Sequence, residues 1–113
     1  MLQIYHNNRC SKSRLGVQLL EASGKDFEII NYLQKVPSKE ELQNIIKMLA
    51  IQPIELVRKN EKIWKENYKG KELSDAEIIN AMHEHPKLIE RPIVINGNRA
   101  VIGRPTENIS TIL

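Results

Sequence analysis

A single cysteine among 113 residues rules out an internal disulfide and any Cys-x-x-Cys pair. One unpaired thiol suits a reducing cytosol, and any redox cycle run by this chain must take its second thiol from another molecule. Aromatic residues are only 4% of the chain, too few for a base-stacking platform, and the net charge of +3 is spread out rather than gathered in a patch. Both features argue against nucleic-acid binding. No apolar run approaches the ~18 residues that a membrane span needs. The N-terminus leads directly into a strand-like pattern, so no signal peptide is expected and the expected location is the cytoplasm. Internal repeats, low-complexity tracts and linkers are also missing.

What is present is ordinary for a globular protein, with 41% hydrophobic and 27% charged residues. The length suits one domain, residues 1–113, whose core needs no covalent staples. A monomer is the default expectation.

Leu2–Tyr5 is a short apolar run that predicts a buried strand. Residues 11–23 predict a helix with Leu15, Leu19 and Leu20 on one side and Gly24 as its stop. Residues 27–33 alternate, with Phe27, Ile29 and Leu33 on one face of a second strand. Strand, helix and strand within about 30 residues make a right-handed βαβ unit with parallel strands. A helical block follows. Ser38 and Glu41 form a capping box ahead of Leu42, Ile45, Ile46 and Leu49. Pro53 opens a short helix carrying Ile54, Leu56, Val57 and Arg58. Residues 61–68 form another around Trp64, ended by Gly70. Ser74 and Glu77 cap a last helix bearing Ile78, Ile79 and Met82, which Pro86 terminates. Ile93-Val94-Ile95 and Ala100-Val101-Ile102 flank an Asn-Gly hairpin signal. Gly103-Arg104-Pro105-Thr106-Glu107 starts a closing helix bearing Ile109, Ile112 and Leu113. The order predicts an α/β, thioredoxin-like fold with a helical insertion, about residues 38–85, between the second and third strands.

Cys10 falls where the first helix should begin. A helix N-terminus offers unpaired N–H groups and about half a positive charge, which stabilise a thiolate and bind an oxyanion alike. A free thiol is about 3% ionised at pH 7, and a downward shift of about two pKa units, worth about 2.7 kcal/mol, would ionise roughly three quarters of it. Arg9, Lys12 and Arg14 are nearby cations. Free cysteine is also a common small core residue. Yet from Asn7 to Ser13 no residue but Cys10 is apolar, which is no place for a core position, so the reactive reading prevails. Ser13 can donate to the sulfur, cap the helix or face water; the sequence leaves these open. His83 and His85 diverge by about 200° on a helix and cannot share a metal there, so no metal site is expected.

Together these motifs resemble the glutaredoxin-dependent arsenate reductases, a thioredoxin-fold family. The likeness rests on Ile4-Tyr5-His6-Asn7 leading into Arg9-Cys10-Ser11-Lys12-Ser13-Arg14, and on Leu56-Val57-Arg58-Lys59-Asn60. It continues through His85-Pro86, Ile89-Glu90-Arg91-Pro92-Ile93-Val94 and Gly103-Arg104-Pro105-Thr106-Glu107. The resemblance implies Cys10 as nucleophile and Arg58, Arg91 and Arg104 as oxyanion-binding residues. It also implies supporting roles for Ser11 and Ser13 beside the nucleophile, for His6 in keeping the thiol ionised, and for Pro92 in a cis peptide bond that aims Arg91 at the ligand. Asn8 departs from the pattern, standing where the family often has a proline that would stiffen the turn. The three arginines also make sense chemically, since a planar guanidinium matches a tetrahedral oxyanion and offsets the repulsion between thiolate and dianion.

The activity implied is reduction of arsenate to arsenite through a thioarsenate on Cys10. Glutathione or an equivalent thiol would be the co-substrate and a glutaredoxin-like protein the recycling partner, with no bound cofactor. Two alternatives share the fold: a regulator similar to the Spx-type transcription factors that bind RNA polymerase, and a glutaredoxin-like thiol-transfer protein. The first typically carries Cys-x-x-Cys, and Ser13 occupies its second cysteine position here.

Overall fold

The computed structural model describes residues 2–113 and divides into two compact units. One carries a sheet; it runs through Lys35 and resumes at Arg91. The other, Val36–Glu90, is helical.

In the sheet unit, β1 (Leu2–Tyr5) connects through α1 (Ser11–Ala22) to the parallel strand β2 (Phe27–Ile30). β3 (Ile93–Asn96) lies antiparallel on the other side of β1, placing Val94 opposite Ile4, and β4 (Arg99–Ile102) completes the order β2-β1-β3-β4. This is the thioredoxin-like arrangement. Central strands must be apolar on both faces, and Ile4, Ile93 and Val94 are fully buried. β2 is an edge, so Ile29 stays 44% exposed. That strand ends three residues earlier than its alternation suggests. The Asn31 carbonyl accepts the N–H groups of Gln34 and Lys35, and the resulting turn buries Tyr32 rather than Leu33.

Asn96 pairs with Arg99, which leaves Gly97-Asn98 as the hairpin loop. Gly97 takes a φ of +65°, the first loop position of a type II′ turn, where glycine is needed. On α1 the buried stripe is Ser13, Gly16 and Leu20. Leu15 lies about 200° around the helix from Ser13 and is exposed, contrary to the expected apolar side. The core of this unit is Leu2, Ile4, Leu20, Val94, Ile109 and Ile112, with Val17, Leu19, Phe27, Val101 and Leu113 packed against it. The closing segment, Thr106–Ile112, is 3₁₀ rather than α-helical. Its three-residue repeat stacks Ile109 and Ile112 on one side, and both are buried.

Two glycines let the segments approach closely. A Cβ on Gly16 would lie 3.1 Å from Pro92 Cγ and from Ile4 Cδ1. One on Gly103 would lie 2.9 Å from Pro92 Cγ and 3.0 Å from Ile109 Cδ1. The Pro92 ring thus sits against two positions where a methyl would be crowded, more so at Gly103, and the Gly103 N–H donates to the Pro92 carbonyl at 2.8 Å. Both Arg91–Pro92 and Arg104–Pro105 peptide bonds are cis; the resemblance implied only the first.

In the helical unit both capping boxes form. Ser38 and Glu41 open α2 (Lys39–Leu49), and Ser74 and Glu77 open the last helix. Pro53–Leu56 is a 3₁₀ turn that stops short of Val57, which instead pairs with Ile89 in an isolated antiparallel bridge. α3 is Lys62–Asn67, with buried Trp64 stacked on Tyr68 at 5.3 Å. α4 (Asp75–Glu84) buries Ile78, Ile79, Ala81 and Met82. His83 Nδ1 is 2.9 Å from the Pro37 carbonyl, and His85 meets the Tyr68 ring edge-on. Among the described residues no group of three or more His, Cys, Asp or Glu side chains could hold a metal, and no helix is long and apolar enough to cross a membrane.

Candidate active site

The turn that delivers Cys10 is fixed by its own asparagines. The His6 N–H donates to the Ile30 carbonyl at 2.9 Å, continuing the β1–β2 pairing by one step. The Asn7 carbonyl then accepts the Cys10 N–H at 3.0 Å, while Asn7 Oδ1 accepts the Arg9 N–H at 3.0 Å. Arg14 Nη1 reaches back to the Asn8 carbonyl at 2.9 Å. These bonds brace the turn at the position where the resembling family often has proline.

Cys10 is the N-cap of α1, with extended backbone and no capping bond from its side chain. The first turn contains no acidic residue to offset the positive end of the helix. The sulfur is therefore open to N–H donors. Arg104 Nη2 lies 3.3 Å from Sγ. Burial pushes the thiol up, but hydrogen bonds from the Ser13 backbone N–H and the Arg91 side chain, then the Arg91 charge and the Lys12 backbone N–H, outweigh it. The net pKa is below that of an ordinary thiol. Arg104 is itself anchored, its Nε donating to the Arg91 carbonyl at 2.7 Å.

His6 and Ser13 are both buried and meet at 2.5 Å between Nδ1 and Oγ. Ser13 Oγ also accepts the Asn7 N–H at 3.0 Å, so one hydroxyl ties the ring to the turn. Burial lowers the His6 pKa; a hydrogen bond with the Ser13 backbone opposes this and the Arg14 charge adds to the lowering, which wins. What His6 does is hold Ser13, whose backbone faces the sulfur while its hydroxyl faces away. Of the three roles left open for that hydroxyl, none is the one observed.

Ser11 opens α1 and is exposed. Pro92 sets the packing between the two glycines. Arg58 belongs to the helical unit, where its N–H donates to the Leu88 carbonyl at 2.7 Å and its Nε lies 3.6 Å from a Glu90 carboxylate oxygen. The structure thus brings Cys10, Arg91 and Arg104 together at one sulfur. Gly16 and Gly103 were missed as part of this arrangement. A glycine inside a helix costs about 1 kcal/mol relative to alanine, so Gly16 was a readable sign of close packing. A depressed thiol flanked by fixed guanidinium groups can attack an electrophilic centre bearing several anionic oxygens.

The ArsC family model matches residues 5–112. A Haemophilus influenzae protein named arsenate reductase is 48% identical over 112 residues, covering 97% of both chains. An Escherichia coli K12 protein named uncharacterized protein YfgD is 40% identical over 114 residues, covering 99% of this chain and 96% of that one. The solved structure of an arsenate reductase from Vibrio cholerae superposes with a TM-score of 0.94 at 44% identity, covering 99% of this chain and 97% of the other.

Proposed function

Since the chain belongs to the ArsC family, we propose that it reduces arsenate to arsenite, with Cys10 as nucleophile and a low-molecular-weight thiol, glutathione or its equivalent, as co-substrate. The observation that carries this reading is the convergence of Arg91, Arg104 and the first N–H groups of α1 on one ionisable sulfur.

The groups that stabilise the thiolate also suit a tetrahedral dianion, so arsenate binds where its negative oxygens share those donors. The Cys10 thiolate attacks arsenic; an S–As bond forms and one oxygen leaves, taking up protons as water. An external thiolate then attacks the Cys10 sulfur of this adduct. An S–S bond forms, the S–As bond breaks, and its electron pair stays on arsenic, which departs as arsenite. Two thiols have been oxidised to a mixed disulfide while As(V) has become As(III). A glutaredoxin-like protein restores Cys10 by thiol–disulfide exchange. With no second cysteine in the chain, the external thiol is obligatory.

The test is NADPH-coupled turnover with arsenate, glutathione and glutaredoxin. Wild type should turn over and Cys10→Ser should not; equal rates would overturn the assignment. The polymerase-binding alternative typically carries a redox pair, and Ser13 stands at its second position here.

A further inference from the structure

Cations around Cys10 fall into two sets. Arg91 and Arg104 are partly buried and touch the sulfur or each other. Arg9, Lys12 and Arg14 are exposed. Within the second set Arg14 is committed to the Asn8 carbonyl. The side chains of Arg9 and Lys12 have no hydrogen-bond or ion-pair partner among the described residues. They stand one residue before and two after the nucleophile. No aspartate or glutamate precedes Glu21 in the chain, and the uncapped end of α1 adds its own partial positive charge. The oxyanion chemistry of the proposed reaction does not call on these two side chains.

We propose that Arg9 and Lys12 form a rim that recognises the carboxylates of the incoming thiol, so that the site selects anionic thiols of the glutathione class over neutral or cationic ones. The inference takes its choice of partner from the reductase reading. Its physical basis is separate. Whatever thiolate attacks the Cys10 sulfur comes from solvent, and these two exposed cations, without a partner among the described residues, flank that sulfur in sequence. Glutathione carries two carboxylates and one ammonium besides its thiol, so a positive rim attracts it, leaves 2-mercaptoethanol unaffected and repels cysteamine. Lysine and arginine on flexible stems can pair with carboxylates of varied position, which fits recognition of a peptide thiol whose sulfur must remain free to react.

The experiment reads thiol entry without arsenate. Cys10 is converted to its mixed disulfide with thionitrobenzoate, and release of the yellow anion is followed with glutathione, 2-mercaptoethanol and cysteamine at low ionic strength. The expected result is that the Arg9→Glu/Lys12→Glu double variant lowers the glutathione to 2-mercaptoethanol rate ratio about tenfold and raises the cysteamine ratio, with the wild-type preference fading at 1 M salt. Arg9→Gln/Lys12→Gln should fall between wild type and the charge reversal. Unchanged ratios, or equal slowing of all three thiols, would overturn the proposal, the latter because it marks a merely structural role. Failure of arsenate turnover with the ratios shifted as expected would remove the reductase reading and leave the thiol-selective rim standing.

Discussion

Arg104 Nη2 lies 3.3 Å from the Cys10 sulfur although 94 positions separate the two residues in the chain. The same guanidinium is anchored by a second bond, its Nε donating to the Arg91 carbonyl. One planar fork therefore holds both the backbone beside Pro92 and the nucleophile. Arg104→Ala should lower kcat/KM for arsenate by about 10²-fold or more, since it removes a fixed donor from the reacting charge. Arg104→Lys keeps the charge but loses the fork, and should recover only part of that loss. Steady-state kinetics with a circular-dichroism check of folding measures both.

Arg91 acts on the thiol through a hydrogen bond and through its charge, both of which lower the Cys10 pKa. Removing it leaves burial, which raises the pKa, opposed by the backbone donors and the Arg104 guanidinium. Arg91→Ala should therefore move the midpoint of iodoacetamide alkylation to higher pH and slow alkylation at pH 7. An unmoved midpoint would mean that the helix end and Arg104 ionise the thiol without Arg91.

Ser13 joins three groups: its hydroxyl accepts from the Asn7 N–H and hydrogen-bonds His6 Nδ1, and its backbone N–H is offered to the sulfur. Ser13→Ala leaves a buried N–H and a buried ring nitrogen without their partner, at a cost of about 1–3 kcal/mol. The thermal midpoint should fall by several degrees. Ser13→Cys is the informative companion, because it keeps a weak donor at that position while creating the redox pair that the natural chain lacks.

Local signals accounted for much of the fold. Both capping boxes, the hairpin and the βαβ unit follow from residue types at fixed spacing, because each is decided within a few residues. The errors are where longer-range packing decides. Leu15 looked like a core residue by composition, yet the stripe facing the sheet is built on Ser13 and Gly16, which no hydrophobicity pattern selects. The β2 alternation ran past Ile30 because a turn at Asn31 ends the strand without a glycine or proline to mark it. Cys10 was legible because a lone thiol in a polar turn ahead of an apolar helix has few other uses. The Ser13–His6 contact was not, since it depends on which way a short side chain turns inside the fold.

Gly16 and Gly103 both press on the Pro92 ring, but the sequence context makes their alanine variants unequal. At Gly16 a methyl meets two carbons at 3.1 Å, while alanine gains about 1 kcal/mol of helix propensity. At Gly103 the contact is 2.9 Å and there is no helix to gain from. Overpacking of this kind costs about 1–3 kcal/mol. Gly103→Ala should thus be the more destabilising in urea titrations, and should also reduce activity, because the next residue is Arg104.

Stability should rise with pH across two separable windows. His6 has a lowered pKa in the folded protein, so below its ordinary value, about 6.5, the unfolded chain binds a proton that the folded one resists. Its contribution is fully present above pH ~6.5 and is lost as pH falls through the folded value. Cys10 is also lowered, and as an acid its thiolate is favoured in the native state. That contribution is complete above the ordinary thiol pKa, about 8.5, and disappears as pH falls through the folded value. Both slopes have the same sign, so wild type alone cannot assign them. Denaturation midpoints measured from pH 5 to 9 should show His6→Asn flattening the acidic part of the curve and Cys10→Ser flattening the neutral-to-basic part. If His6→Asn left the slope below pH 6.5 unchanged, the ring would be titrating freely, and its buried bond to Ser13 would not persist in solution.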